Sequence, residues 1–160
     1  MAPAKRRRLR VCLDLNVFVS AEIARHRSAW TSPALRLVEA CRAGEVDLIV
    51  SSPMLERLAE VLTRSPLKLT PVTAQERVDL IAEYAALRSL LVAGTGVYPF
   101  TDLEDRTVLE AALAGQADYL ATYNLKHFAP AAIEDPATGL LCVRSLLIVD
   151  PPTLRDRIRQ

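Results

Sequence analysis

Short, continuous apolar runs alternate along the chain with longer segments that have a helical pattern. Four runs are of strand type: Val11–Val19, Val46–Val50, Ala117–Thr122 and Leu146–Val149. Two Ser-Pro pairs, Ser32-Pro33 and Ser52-Pro53, are helix-start signals, because proline is favoured at the first helical position. Continuous apolar strands that alternate with helices predict a parallel sheet with helices on both faces.

Helices are predicted over residues 33–42, 54–64 and 74–88, with a polar one from about 151 to 160. Thr73-x-x-Glu76 reads as a capping box for the third of these helices. A third strand is expected at Leu90–Val92 or at Val97–Phe100. Residues 134–144 fit either an irregular connection or a small hairpin, and we leave both open.

The segment Asp102–Phe128 combines charge with an apolar helical face. Four residues at helical spacing share that face: Asp105, Val108, Leu109 and Ala112. A carboxylate at the head of a core-facing stripe has no simple structural reason, so we interpret Asp105 as functional. Asp102 is explained as a helix cap, Gly115 as the helix stop, and Asn124 follows the next strand.

Length and composition predict one domain over residues 1–160. Hydrophobic residues make up 51% of the chain and charged residues 24%, which is typical of globular proteins. The basic run Lys5–Arg8 belongs to a tail, residues 1–9, that we expect to be flexible. Because the net charge is only +1, a polyanionic partner would have to be bound by a local patch.

The cysteines and the hydropathy pattern predict a cytoplasmic protein. Cys12, Cys41 and Cys142 lie far apart in apolar runs, which fits buried thiols better than disulfides or a zinc site. The sequence has no long apolar span and no secretory signal, so we expect no membrane association.

Right-handed crossovers would bring the ends of the strands to one edge, together with five polar residues: Asp14, Glu56, Asp102, Asp105 and Asn124. Crowded carboxylates remain charged when a cation lies between them, and oxygen ligands favour Mg²⁺ or Mn²⁺ over zinc. Such an ion can activate water for attack on phosphorus, so phosphodiester hydrolysis is the predicted chemistry. Glu56 is chosen as the second acid because it lies in the first turn of its helix, and Glu60 is the reserve.

Four segments, in family order, resemble the PIN domain, and in particular the bacterial PIN-type toxins related to VapC ribonucleases. They read LDLNVFVSA (13–21), SSPMLERLAEVLTR (51–64), DLEDRTVLEAALAGQADYLATYNLKHF (102–128) and LLIVDPPTL (146–154). The resemblance implies an α/β/α fold around a parallel sheet of about five strands. It also implies Mg²⁺- or Mn²⁺-dependent endoribonuclease activity, a cognate antitoxin protein that blocks the site, and a homodimer.

The resemblance also implies roles for individual residues. Asp14 is similar to the family's first metal-binding acid, Asn16 to the amide that orients it, and Asp105 to the third acid. Thr122 and Asn124 stand at the Thr-x-Asp or Thr-x-Asn position. Leu15 replaces the usual Thr or Ser, and the neutral Asn124 implies weaker binding of a second metal. The spacing of Glu56 from the following Val-Leu pair differs from the family's by about one residue.

Other functions remain open. Four basic residues could offset the repulsion between RNA and the acids: Arg25, Arg27, Arg64 and Lys68. The second hypothesis is a PIN-like module that binds RNA or protein after losing efficient metal binding. A receiver domain that uses Asp14 is disfavoured because the chain lacks the paired acids of receivers at the first strand. A Rossmann protein is disfavoured because no GxGxxG motif follows a strand. His26 and His127 are isolated in the sequence and do not look like metal ligands.

Overall fold

The computed structural model describes residues 7–85 and 102–160. The strands are β1 (Arg10–Leu13), β2 (Asp47–Ile49), β3 (Tyr119–Ala121), β4 (Ile133–Glu134), β5 (Leu141–Val143) and β6 (Leu146–Val149). The helices are α1 (Leu15–His26), α2 (Pro33–Arg42), α3 (Ser52–Leu62), α4 (Pro71–Ala85), α5 (Leu103–Ala114), α6 (Leu125–Phe128) and α7 (Pro151–Ile158), with a 3₁₀ turn at Ala129–Ala131.

The six strands form one sheet in the order β2-β1-β3-β6-β5-β4. The first four strands run parallel, whereas β5 pairs antiparallel with β6 and β4 antiparallel with β5. The fold is therefore the predicted three-layer α/β/α arrangement, with one strand more than the sequence suggested and an antiparallel edge. The carboxyl ends of β1, β3 and β6 lie side by side, because Leu13 pairs with Ala121 and Ala121 with Val149.

The first apolar run does not form one long strand. Strand β1 ends at Leu13, and α1 begins at Leu15 although Val17, Phe18 and Val19 are good strand formers. The turn is made at Asp14, whose carboxylate accepts a hydrogen bond from the backbone N–H of Leu15. This cap, and the burial of α1 against α2, outweigh the β preference of the side chains.

Helix α4 begins three residues before the predicted position. Thr70 precedes Pro71, and its hydroxyl accepts a hydrogen bond from the backbone N–H of Thr73 at 3.2 Å. The cap is therefore Thr70 and not Thr73, because proline at the first helical position extends the helix toward the N-terminus. The end predicted for this helix and the strand predicted between Leu90 and Phe100 lie outside the described residues.

Of the two interpretations of residues 134–144, the hairpin is the one observed, as β4 and β5. At the start of the described chain, Arg7 lies 2.7 Å from Asp118, and Leu9 packs against the core. The last part of the segment predicted as a flexible tail is thus attached to the sheet. Cys12, Cys41 and Cys142 are all buried free thiols. Within residues 7–85 and 102–160, none of the helices has the length and apolar character needed to cross a bilayer.

Candidate active site

Asp14 lies at the carboxyl end of β1 and is only 3% exposed. Its Oδ1 accepts the N–H of Leu15 at 2.7 Å, and its Oδ2 accepts the hydroxyl of Thr122 at 2.7 Å. Its own N–H donates to the carbonyl of Ala121 in β3. The local sequence therefore fixes a buried carboxylate where the sheet ends and the first helix starts.

Thr122 connects the residues around Asp14. It is completely buried, and besides donating to Asp14 its Oγ1 accepts the N–H of Asn124 at 2.9 Å and the amide of Asn16 at 3.5 Å. The side-chain oxygen of Asn16 in turn accepts the N–H of Tyr123 at 3.4 Å. Asn16 thus acts on Asp14 through Thr122.

Asp105 lies in the first turn of α5 and is 5% exposed, as its place on the apolar stripe predicts. Asp102 caps the same helix and accepts the N–H of Glu104 at 2.8 Å, which confirms its expected role as a cap. Oδ2 of Asp105 lies 3.1 Å from Nδ1 of His127. The sequence left both a solvent-exposed and a substrate-near position open for His127, and nothing in it paired His127 with Asp105.

Asp14 and Asp105 are both buried, and each has a pKa above the ordinary value of an aspartate. Burial raises the pKa of Asp14 to about 6, and the charges of Asp105 and Glu104 contribute to that increase. The hydrogen bonds from Thr122 and Leu15 oppose it. Burial and then Asp102 raise the pKa of Asp105, whereas His127 lowers it. The ends of β1 and α5, distant in sequence, therefore bring two carboxylates into one electrostatic environment.

Neither candidate for the second acid reaches this pair. Glu56 is exposed on α3, and Glu60 is exposed and bonded to Arg57 at 2.8 Å. The α3 side chain that extends toward the acids is Arg57, whose Nε donates to Glu104 at 2.8 Å. Glu104 is the carboxylate that sequence reasoning missed. Its partner Arg57 lies 47 positions away in the sequence, so the only sequence signal for Glu104 was its place next to Asp105.

Metal binding can be judged from the available donors. Among residues 7–85 and 102–160, no three His, Cys, Asp or Glu side chains form a group that could hold an ion. Mg²⁺, however, is commonly bound by one or two carboxylates, with water and substrate phosphate as the other ligands. Asp14 and Asp105 fit that mode. Asn124 is exposed just past β3, and its side chain makes no helix-capping hydrogen bond.

The predicted substrate-binding cations lie away from the acids. Arg25 is bonded to Glu39 and lies 3.8 Å from Glu22, so its charge is already balanced. Arg27 follows the last turn of α1, and a hollow of about 210 Å³ joins it to Leu67, next to Lys68. Arg64 and Lys68 are exposed. Since α1 has 12 residues, this end lies roughly 18 Å from Asp14.

The family follows from a comparison with known domains. A family model described as the PIN domain matches residues 10–126, which include β1, Asp14, α3, Asp105 and Asn124. The chain belongs to the PIN domain family. PIN domains are generally nucleases that use divalent metal ions. No curated protein and no solved structure matches the chain.

Proposed function

We propose that this PIN domain is a metal-dependent endoribonuclease and the toxin of a type II toxin–antitoxin pair. One observation carries the nuclease assignment: Asp14 and Asp105, 91 positions apart in the sequence, are both buried and both contact the segment that follows β3, Asp14 through Thr122 and Asp105 through His127. Two carboxylates in one buried place repel each other, and a divalent cation offsets that repulsion.

Asp14 and Asp105 would hold Mg²⁺ or Mn²⁺, with Asn124 as a neutral oxygen donor. Glu56 remains the predicted second acid, although reaching the pair would require its side chain to change position. When bound, the ion polarises a phosphoryl oxygen and lowers the pKa of water. Thr122 keeps one lone pair of Asp14 engaged and so orients the carboxylate. His127 contacts Oδ2 of Asp105 through Nδ1 and so orients that carboxylate from the solvent side.

The toxin assignment rests on the resemblance to the VapC-like group over nearly the whole chain. The same resemblance implies an antitoxin protein that blocks the site, and it implies that the protein forms a homodimer. A small reading frame directly upstream of the gene, and loss of activity when its product is added, would support this part. If the purified product neither binds the protein nor inhibits it, the antitoxin assignment fails.

The nuclease assignment is tested by incubating the protein with structured RNA in Mn²⁺ or in EDTA. We expect cleavage only with Mn²⁺, and at least a roughly hundredfold loss in an Asp105→Asn variant because a metal ligand is removed. Asp156→Asn, an exposed aspartate of α7, is the matched control and should cleave normally. Cleavage that persists in Asp105→Asn would exclude this mechanism.

A second candidate is a PIN-like binding module with little or no catalysis. It is favoured by the ion pair between Arg57 and Glu104, which balances acidic charge without a metal, and by the contact of His127 with Asp105, which occupies one oxygen of that carboxylate. Leu15, which replaces the usual Thr or Ser, and the neutral Asn124 also favour this candidate, because a site with fewer oxygen ligands and less negative charge binds a metal more weakly. Tight RNA binding without Mn²⁺-dependent cleavage, and without a Mn²⁺-induced rise in melting temperature, would favour this candidate.

A further inference from the structure

A cavity of about 340 Å³ opens between α3 and α5, and it is lined by the chain neighbours of the two acids although not by Asp14 or Asp105 themselves. It reaches Leu15, which follows Asp14, and Glu104, which precedes Asp105. Its volume lies within the ~300–1,000 Å³ typical of ligand pockets. No part of the proposed hydrolysis uses this space, so it is available for a portion of the substrate next to the reacting phosphate.

Most of the cavity wall is apolar, contributed by five side chains: Leu15, Pro53, Met54, Leu103 and Val108. Leu103 is 73% exposed, although it is a large apolar residue next to a helix cap. An exposed leucine at the rim and buried apolar side chains inside provide surfaces for a flat, apolar group. The faces of a nucleobase are such a group, whereas phosphate and ribose are not.

The charged groups of the cavity are one cation and two carboxylates, and its other polar side chain, Thr107, donates its hydroxyl to the carbonyl of Leu103. Arg57 donates to Glu104 and to Glu60, so its charge is balanced. Asp102 and Glu104 each use one carboxylate oxygen in the hydrogen bonds of the described residues, through Oδ1 and Oε1. The other oxygens, Oδ2 and Oε2, remain as acceptors. A cavity with more acid than base repels phosphate and selects N–H donors.

We propose that this cavity binds a guanine base adjacent to the phosphate that is cleaved. The proposal rests on the assignment of RNA as substrate. Guanine offers two neighbouring N–H groups, at N1 and N2, to the carboxylate oxygens of the cavity that remain as acceptors, such as Oε2 of Glu104. Its O6 and N7 are acceptors that arginine commonly contacts, here Arg57. Single-stranded RNA is generally recognised through such base edges.

The test measures binding, so it does not depend on cleavage. An Asp105→Asn protein in EDTA is titrated into fluorescein-labelled oligouridylate that carries a single central guanosine, inosine or uridine. We expect the guanosine oligonucleotide to bind about tenfold more tightly than the uridine one, and inosine to be intermediate because it lacks the 2-amino group. Equal affinity for all three oligonucleotides, or no binding at all, overturns the proposal.

Two variants made on the Asp105→Asn background locate the effect. Glu104→Gln keeps an acceptor for Arg57 but replaces the free oxygen with an amide donor, and should reduce the preference to less than about twofold. Glu76→Gln, the same change on the exposed face of α4, should leave it unchanged. Thr107→Phe fills the cavity and should abolish the preference while the affinity for oligouridylate remains.

If Glu104→Gln melts at a much lower temperature than its parent, its loss of guanine preference could reflect unfolding. The Thr107→Phe variant then provides the deciding measurement. A guanine preference that survives in a folded Thr107→Phe protein overturns the proposal. The result is separable from the nuclease assignment. A guanine preference without Mn²⁺-dependent cleavage supports the guanine-binding cavity and contradicts the nuclease assignment. Cleavage without any base preference supports the nuclease assignment and contradicts the guanine-binding cavity.

Discussion

At the scale of the residue, the site is held in an arrangement that is costly without a cation. Asp14 is buried beside other acids, yet its hydrogen bonds come from only one hydroxyl and one N–H. Buried charge with partial compensation destabilises a fold. The sequence already indicated Asp14 and Asp105 from their positions. It could not indicate the contacts of His127 and Glu104, because these depend on where the ends of distant elements meet.

The raised pKa of Asp14 predicts a pH dependence of stability. A carboxyl group whose folded-state pKa is about 6, above its ordinary 3.8, stabilises the fold below about pH 4. That contribution is lost as the pH rises to 6 and beyond. A shift of this size corresponds to about 3 kcal/mol. The test compares the free energies of unfolding of Asp14→Asn and of the parent, measured by urea titration in EDTA. Between pH 4 and pH 8, we expect the variant to gain about that amount relative to the parent. If the two free energies change with pH in parallel, the raised pKa of Asp14 is refuted.

The hydroxyl of Thr122 should matter more than its size suggests. Thr122→Val keeps the shape but leaves a buried oxygen of Asp14 without its donor, so we expect a loss of about 1–3 kcal/mol in urea unfolding. Thr63→Val removes a hydrogen bond to the carbonyl of Glu60 at a solvent-exposed helix end, and should cost at most about 0.5 kcal/mol. Similar losses in the two variants would mean that Thr122 has no special role.

At the scale of the element, the sequence predicted most helices and strands but not always for the correct reason. Gly115 was predicted as the helix stop, a position at which glycine usually serves through its left-handed conformation. The observed φ at Gly115 is −80°, and the positive φ belongs to Gln116. Glycine is needed at 115 because of tertiary packing. A Cβ atom there would lie 2.5 Å from Cγ2 of Ile49, which no local pattern could reveal.

Gly115→Ala should therefore destabilise the protein, by about 1–3 kcal/mol, because it forces a carbon into Ile49. On backbone grounds alone the same change would stabilise it by about 0.4–1 kcal/mol. The sign of the effect in thermal or urea unfolding distinguishes the two. In an Ile49→Ala background, where the obstructing atoms are gone, Gly115→Ala should become neutral or favourable. If the cost is unchanged there, packing against Ile49 is not its cause.

At the scale of the whole molecule, Asp14 lies at one end of α1, and Arg27 and Lys68, which have no ion-pair partner among the described residues, lie at the other. The sequence predicted both groups but not their separation, because the length of α1 became clear only when Asp14 proved to be its cap. The sheet was likewise foreseen as parallel, whereas its β5–β4 edge is antiparallel. Short strands of two or three residues carry too little pattern to define their direction.

This separation predicts that RNA length decides whether the cations contribute. A double variant, Arg27→Ala with Lys68→Ala, should reduce the salt dependence of binding of an RNA of about 20 nucleotides by about 2 in log–log slope. A tetranucleotide, too short to span both ends, should bind the double variant and the parent equally. Arg155→Ala, whose guanidinium is paired with Asp156, is the control. A slope that stays the same for the long RNA would exclude these residues from the RNA path.

Three residues from two stretches of chain, Asp14, Asn16 and Asn124, bond to the single oxygen of Thr122. Changes at these positions therefore cannot be independent: once the hydroxyl is gone, replacement of Asn16 costs only its remaining bond to the N–H of Tyr123. Such epistasis makes each substitution acceptable or harmful according to the others. Homologues that diverge in this loop are accordingly expected to vary at these positions as a set, and single replacements to be rare.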